Sequence, residues 1–163
     1  MLVGVALLCI WVIAVFIFSV VALTETRRLL RQSVAACARV TSFPALAILR
    51  PCAGLEPELE ENLLSTVTAR YDGPRELFVL VASKDDPAYA IAERVRVRAI
   101  AEAPGVPVRV VVTEIATRHN RKVAQMIRAE RMSEAPVIVV IDSDIALQDD
   151  TLPALIAALM ADQ

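Results

Sequence analysis

Four short apolar runs recur after residue 44, each followed by a segment with helical spacing. No other feature constrains the fold as strongly. The runs are "ALAIL" at 45–49, "ELFVLVAS" at 76–83, "PVRVVVT" at 107–113 and "VIVVI" at 137–141. After the first, Leu59, Leu63 and Val67 recur at helical spacing within 55–70. After the second, Asp86 and Pro87 open a helix as cap and first-turn proline. A third helix covers 120–132, with Val123 and Ile127 four apart. Asp150 or Thr151 starts a last one, whose Leu152, Leu155, Ile156, Leu159 and Met160 make one apolar stripe. Strand-then-helix units in series predict a mainly parallel sheet, because parallel neighbours need a crossover connection. Runs that are continuously apolar rather than alternating predict burial on both faces of that sheet.

The chain before this alternation is of another kind. Residues 1–23 carry no charge, and about 20 apolar residues suffice to cross a bilayer as a helix. No basic segment precedes the run, and no small-x-small cleavage site follows it, so a retained anchor is expected over 1–24 rather than a signal peptide. Arg27, Arg28 and Arg31 follow within a juxtamembrane helix or linker at 25–43, and basic residues mark the cytoplasmic flank. The expected arrangement is a single-pass N-terminal anchor with the globular part, 44–163, in the cytoplasm. A formal net charge of −2 gives no electrostatic footprint for a nucleic-acid partner. Cys9, Cys37 and Cys52 have neither CxxC nor Cys/His spacing, which leaves them as reduced structural thiols.

In an open α/β sheet, ligands bind beyond the carboxyl ends of the strands, and Asp85, Asp86, Asp142 and Asp144 all fall there. The four glycines, Gly4, Gly54, Gly73 and Gly105, cannot compose a GxGxxG or GxxxxGK[ST] loop, so phosphate must be neutralised by other means. If 142–144 continues as strand, Asp142 and Asp144 project to one side and Ser143 to the other. Two such carboxylates suit Mg2+ or Mn2+, which bind hard oxygen ligands and bridge to phosphates. The competing role for "DSD" is a turn that leads into the last helix. Of Asp85 and Asp86, one caps the helix at Pro87 and the other is free to accept hydrogen bonds from a nucleobase or ribose. Arg118, Arg121 and Lys122 gather positive charge ahead of a helix N-terminus, either toward phosphate or as a solvated basic face. His119, the only histidine, has no acidic or cysteine neighbour and is not assigned to catalysis.

Four segments in register resemble the N-terminal half of the ceramide glucosyltransferase family, which includes bacterial hopanoid-associated glycosyltransferases. They are the membrane helix, "ILRPCAGLEPELEENL" beside the family's "KPLKGxDxxLxxNL", "VASKDDPA" beside its "DDPA", and "NRKVAQMI" followed by "IDSDI". The resemblance implies a GT-A fold, Rossmann-like and incomplete at the C-terminus. It also implies transfer of a hexose from a UDP-sugar to a lipid hydroxyl, ceramide-like or hopanoid-like, with inversion. Carried over, Asp86 (or Asp85) lies on the nucleotide, Lys122 faces the phosphates, and Asp142 with Asp144 forms the metal and diphosphate site, Mg2+ or Mn2+. The family's general base and (Q/R)xxRW motif lie well beyond its DxD segment. Here the sequence stops at Gln163 and the only tryptophan is Trp11, so no catalytic residue is assigned and the chain alone is expected to be inactive. A non-catalytic, membrane-tethered nucleotide- or metal-binding module is the alternative, and a truncated product is a third reading.

Overall fold

The computed structural model describes residues 2–37, 43–113 and 120–161. Its elements run in the order α1 (Leu2–Cys37), β1 (Leu46–Pro51), α2 (Leu59–Thr68), β2 (Arg75–Val81), α3 (Pro87–Glu102), β3 (Val108–Val112), α4 (Arg121–Glu130), β4 (Val137–Val140) and α5 (Thr151–Ala161). Arg118 and His119 lie outside the described residues. Two compact units result, one of 1–40 with 154–163 and the other of 41–153.

In the first unit, α1 is one helix whose stretch Leu8–Leu29 has a mean hydropathy of 2.4 and no burial within the protein. At 1.5 Å per residue those 22 residues reach about 33 Å, enough for a hydrocarbon core of about 30 Å. The hydroxyls of Ser19, Thr24 and Thr26 donate to the carbonyls of Val15, Val21 and Ala22, at 2.8 Å each. These three hydroxyls are therefore satisfied within the helix, as a lipid environment would require.

In the second unit the four strands form one fully parallel sheet in the order β3-β2-β1-β4. The α/β class with a parallel sheet and flanking helices, expected from the alternation, is the observed one. Winding proceeds outward through β1, β2 and β3, then reverses past β1 to β4. Since parallel crossovers are right-handed, this reversal places α2 and α3 on one face and α4 on the other. The α4 face holds a cluster of Ala47, Leu49, Phe78, Leu80, Val111 and Ala129, with Met126 and Ala135 packed against it.

Burial departs from expectation at the edges. Every residue of β1 and the last five of β2 are buried, but β4 alternates between half-buried and exposed, and β3 buries only Val111. Edge strands have a neighbour on one side only, so helices cover them less. The phase of α4 also differs: Gln125 and Ala129 are buried, whereas Val123 and Ile127 are exposed. Small Ala129 lets the helix approach β1 and β2 closely, and that approach sets its rotation. The stripe on α5 splits likewise, with Leu152 and Ile156 buried and Leu155, Leu159 and Met160 exposed.

Candidate functional site

The strand order reverses between β1 and β4, and the crevice beyond their carboxyl ends is the standard ligand position of such sheets. A cavity of about 450 Å3 opens there. The ends of β1 and β2 supply Cys52, Ala53, Glu56 and Ala82, α4 supplies Arg121, Lys122 and Gln125, and the segment after β4 supplies Asp142, Ser143 and Asp144. Asp86 completes the wall.

Asp142 and Asp144 both reach the cavity, but not as the ends of an extended strand. β4 stops at Val140, Ile141 makes one more ladder bond to the Leu49 carbonyl at 3.1 Å, and the chain then turns, the Ile145 amide donating to the Asp142 carbonyl at 3.2 Å. The turn thus coexists with the shared orientation of the two carboxylates, and Ser143 between them is buried. Two interior side chains hold its carbonyl: Arg50 Nη2 at 3.3 Å and Asn62 Nδ2 at 3.2 Å. Arg50 Nη2 also donates to the Ile145 carbonyl at 2.8 Å.

Asp86 caps α3, its Oδ1 accepting from the Ala88 amide at 2.9 Å. The same oxygen accepts from the Gly54 amide at 2.8 Å, which ties the loop after β1 to the end of β2 and leaves Oδ2 outside both bonds. Gly54 has φ +69°, a conformation that a side chain resists. Asp85 is exposed and does not line the cavity. Asn120 caps α4 through its Oδ1, which accepts from the Lys122 amide at 3.1 Å. From that first turn the Lys122 ammonium reaches across and donates to Asp142 Oδ1.

Charge is mixed around this space: Glu56, Asp86, Asp142 and Asp144 face Arg121 and Lys122, with Arg50 behind the wall. Burial lowers the Arg50 pKa from its ordinary value, and the nearby carboxylates of Asp144, Asp142 and Glu56 oppose that effect. Burial pushes the Cys52 thiol up to about 12, so it enters the wall as a neutral group. Among the described residues no three His, Cys, Asp or Glu side chains converge as a closed metal site. The Asp142/Asp144 pair fits a cation whose remaining ligands are phosphate oxygens and water, the usual arrangement for Mg2+.

A family model for glycosyl transferase family 21 matches residues 7–163. The chain belongs to glycosyltransferase family 21. Within this family setting, a ceramide glucosyltransferase of Pyricularia oryzae is 40% identical over 55 residues, which is 32% of the chain and 11% of that protein. Among solved structures, a mannosyltransferase from Pyrobaculum calidifontis in complex with GDP-Man and Mn2+ superimposes with a TM-score of 0.59 at 20% identity. It covers 85% of this chain, which in turn spans 42% of the mannosyltransferase. That likeness shows the fold of this family 21 chain.

Residue by residue, the site gathers Asp86, Lys122, Asp142 and Asp144 and leaves Asp85 outside. Arg50, Asn62, Glu56 and Gln125 escaped the reading of the sequence. Their available signal was a polar or charged residue inside an otherwise apolar run or helix face, most plainly Arg50 in "LAILRP".

Proposed function

We propose that this family 21 glycosyltransferase binds a nucleotide-diphosphate sugar, a UDP-sugar, in the cavity at the β1/β4 reversal and serves hexose transfer to a lipid hydroxyl with inversion. The observation that carries the reading is the convergence of Asp142, Asp144, Asp86 and Lys122 on one cavity from three separate segments of the chain. Asp142 and Asp144 would hold Mg2+ or Mn2+ together with the diphosphate, and the cation would supply charge neutralisation for the departing nucleotide. Lys122, at the N-terminal turn of α4, faces the same phosphates, and Asp86 offers Oδ2 to the nucleoside. The acceptor follows from the likeness to a ceramide glucosyltransferase and from the apolar α1, which would tether the chain to a lipid surface. The anchor at 1–24, the basic segment at 25–43 and a cytoplasmic globular part belong to the same proposal, supported by Arg27, Arg28 and Arg31, which follow the uncharged part of α1 within the same helix.

The test is a titration of UDP, and of GDP for comparison, with and without Mn2+ against the intact chain in detergent micelles. The expected result is Mn2+-dependent UDP binding that weakens at least tenfold, about 1.4 kcal/mol, in the Asp142→Ala/Asp144→Ala variant. Equal affinity in the two proteins sinks the metal assignment, and tighter binding of GDP replaces UDP as the donor nucleotide.

A further inference from the structure

Arg50 is fully buried in the middle of a hydrophobic sheet, on the face of Leu46 and Ile48. Removing a charge from water costs several kcal/mol unless a partner compensates. Yet among the described residues Arg50 forms no ion pair within 4.0 Å, and its Nε and Nη1 have no hydrogen-bond partner. A leucine would serve the core better. The guanidinium is also too deep to touch a ligand. What it does hold is the acidic turn: a single nitrogen, Nη2, grips the carbonyls on both sides of Asp144.

Asn62, buried on α2, donates to the same Ser143 carbonyl, and the Ser65 hydroxyl accepts from the Leu147 amide at 2.8 Å. Three polar groups of the segment 50–65 thus reach the segment 143–147, between 81 and 95 residues further on. Two carboxylates held near each other repel, and a positive charge behind the backbone between them opposes that repulsion without occupying the ligand's place.

We infer that Arg50 is a positioning residue for the donor site, fixing the Asp142–Asp144 turn from behind through the Ser143 and Ile145 carbonyls, with Asn62 as a second brace. The inference rests on the proposed reading of that turn as the metal and diphosphate ligand set. It explains the polar residues Arg50 and Asn62 of the "RPCAGLEPELEENL" segment, which hold the Asp142–Asp144 turn rather than the donor. Lysine cannot replace arginine here, because an ammonium on a flexible stem has no planar fork to fix its direction.

Two measurements on the full chain in detergent micelles test this. Amide hydrogen exchange reads the turn with no ligand present: in Arg50→Lys, exchange at Ile145 and Leu147 is expected to rise about tenfold, while Phe78 and Val79 in β2 keep their protection. UDP titration with Mn2+ reads the consequence: Arg50→Lys is expected to weaken binding by about 10- to 100-fold, the usual range for groups that orient metal ligands. Asn62→Leu, which leaves the arginine in place, is expected to show a smaller change of the same kind and keeps the question answerable if Arg50→Lys folds poorly. Unchanged exchange at Ile145 and Leu147, or a rise spread equally over β2, overturns the role of Arg50 whatever UDP does. Raised exchange at the turn with wild-type affinity for UDP and Mn2+ overturns it as well. A wild-type chain that fails to bind UDP with Mn2+ overturns the donor reading instead, and with it the purpose assigned to the brace.

Discussion

The ammonium of Lys122 donates to Oδ1 of Asp142, so the first turn of α4 and the turn after β4 are joined by charge across the mouth of the cavity. The two side chains are 48% and 59% exposed, and such a pair contributes no more than about 1 kcal/mol in water. A cation of either kind can therefore take the carboxylate. On the proposed reading of the site, lysine and a divalent ion would compete for Asp142, and a bound diphosphate would give the displaced ammonium a new partner.

Lys122→Met separates these two roles. Mn2+ alone is expected to bind as well or up to about fivefold more tightly, since a competitor worth at most about 1 kcal/mol is gone. UDP with Mn2+ is expected to bind more weakly. Calorimetric titration checks both, and a loss of affinity for Mn2+ alone would show that the lysine does not compete.

Asp86 and Asp85 are adjacent in sequence but unequal in consequence. Asp86→Ala removes the cap of α3 and the bond to the Gly54 amide, and is expected to cost about 1–2 kcal/mol. Asp85→Ala is expected to stay within about 0.5 kcal/mol. Urea unfolding of the two variants compares them directly, and equal stabilities would contradict the capping geometry.

Cys52 and Tyr71 make stability fall at high pH. Burial raises the Cys52 thiol from 9.0 to about 12 and the Tyr71 phenol from 10.0 to about 12. Above pH 9 the unfolded chain releases the thiol proton while the folded chain retains it, so rising pH favours unfolding. The loss is expected to begin near pH 9, grow through the tyrosine range and level off beyond about 12. In Cys52→Ala the onset is expected to move toward pH 10, readable as unfolding free energy against pH. A stability that rises between pH 9 and 11 would refute the burial of both groups.

Phe16 lies mid-way along the apolar stretch of α1 and is exposed. If that stretch spans a bilayer, Phe16→Arg costs about 2.5–3.5 kcal/mol of insertion free energy, and adding Val20→Arg raises the penalty further. Carbonate-resistant membrane association is expected for the wild-type chain and loss of it for the double variant. A double variant that stays in the membrane would remove α1 from that role.

The parallel sheet was legible because four apolar runs in series admit few other arrangements, and Asp142 and Asp144 because a carboxylate pair after such a run is conspicuous. The rotation of α4 was not. Val123 and Ile127 are the larger apolar residues, but Ala129 wins the inner position by allowing a closer approach, and apolar spacing alone does not rank residues by size. The turn at 142–145 was readable only as one of two options, since aspartate favours turns and strand ends alike. Arg50 was missed for a different reason: its partners are two carbonyls more than ninety residues away, and backbone acceptors leave no mark in a sequence.

The reversal of winding at β1 also sets how the site comes into being. Among the described residues β4 has four residues and one neighbour, and its ladder closes a loop of some ninety residues, from Leu46 to Val137. Pairings of such separation carry the largest entropic penalty and contribute to the slowest folding steps. A ligand that grips Asp142 and Asp144 while touching Lys122 and the end of β1 binds only chains in which that strand has docked. By mass action it would enrich them, so the concentration of such a ligand and the integrity of the sheet edge would become linked quantities.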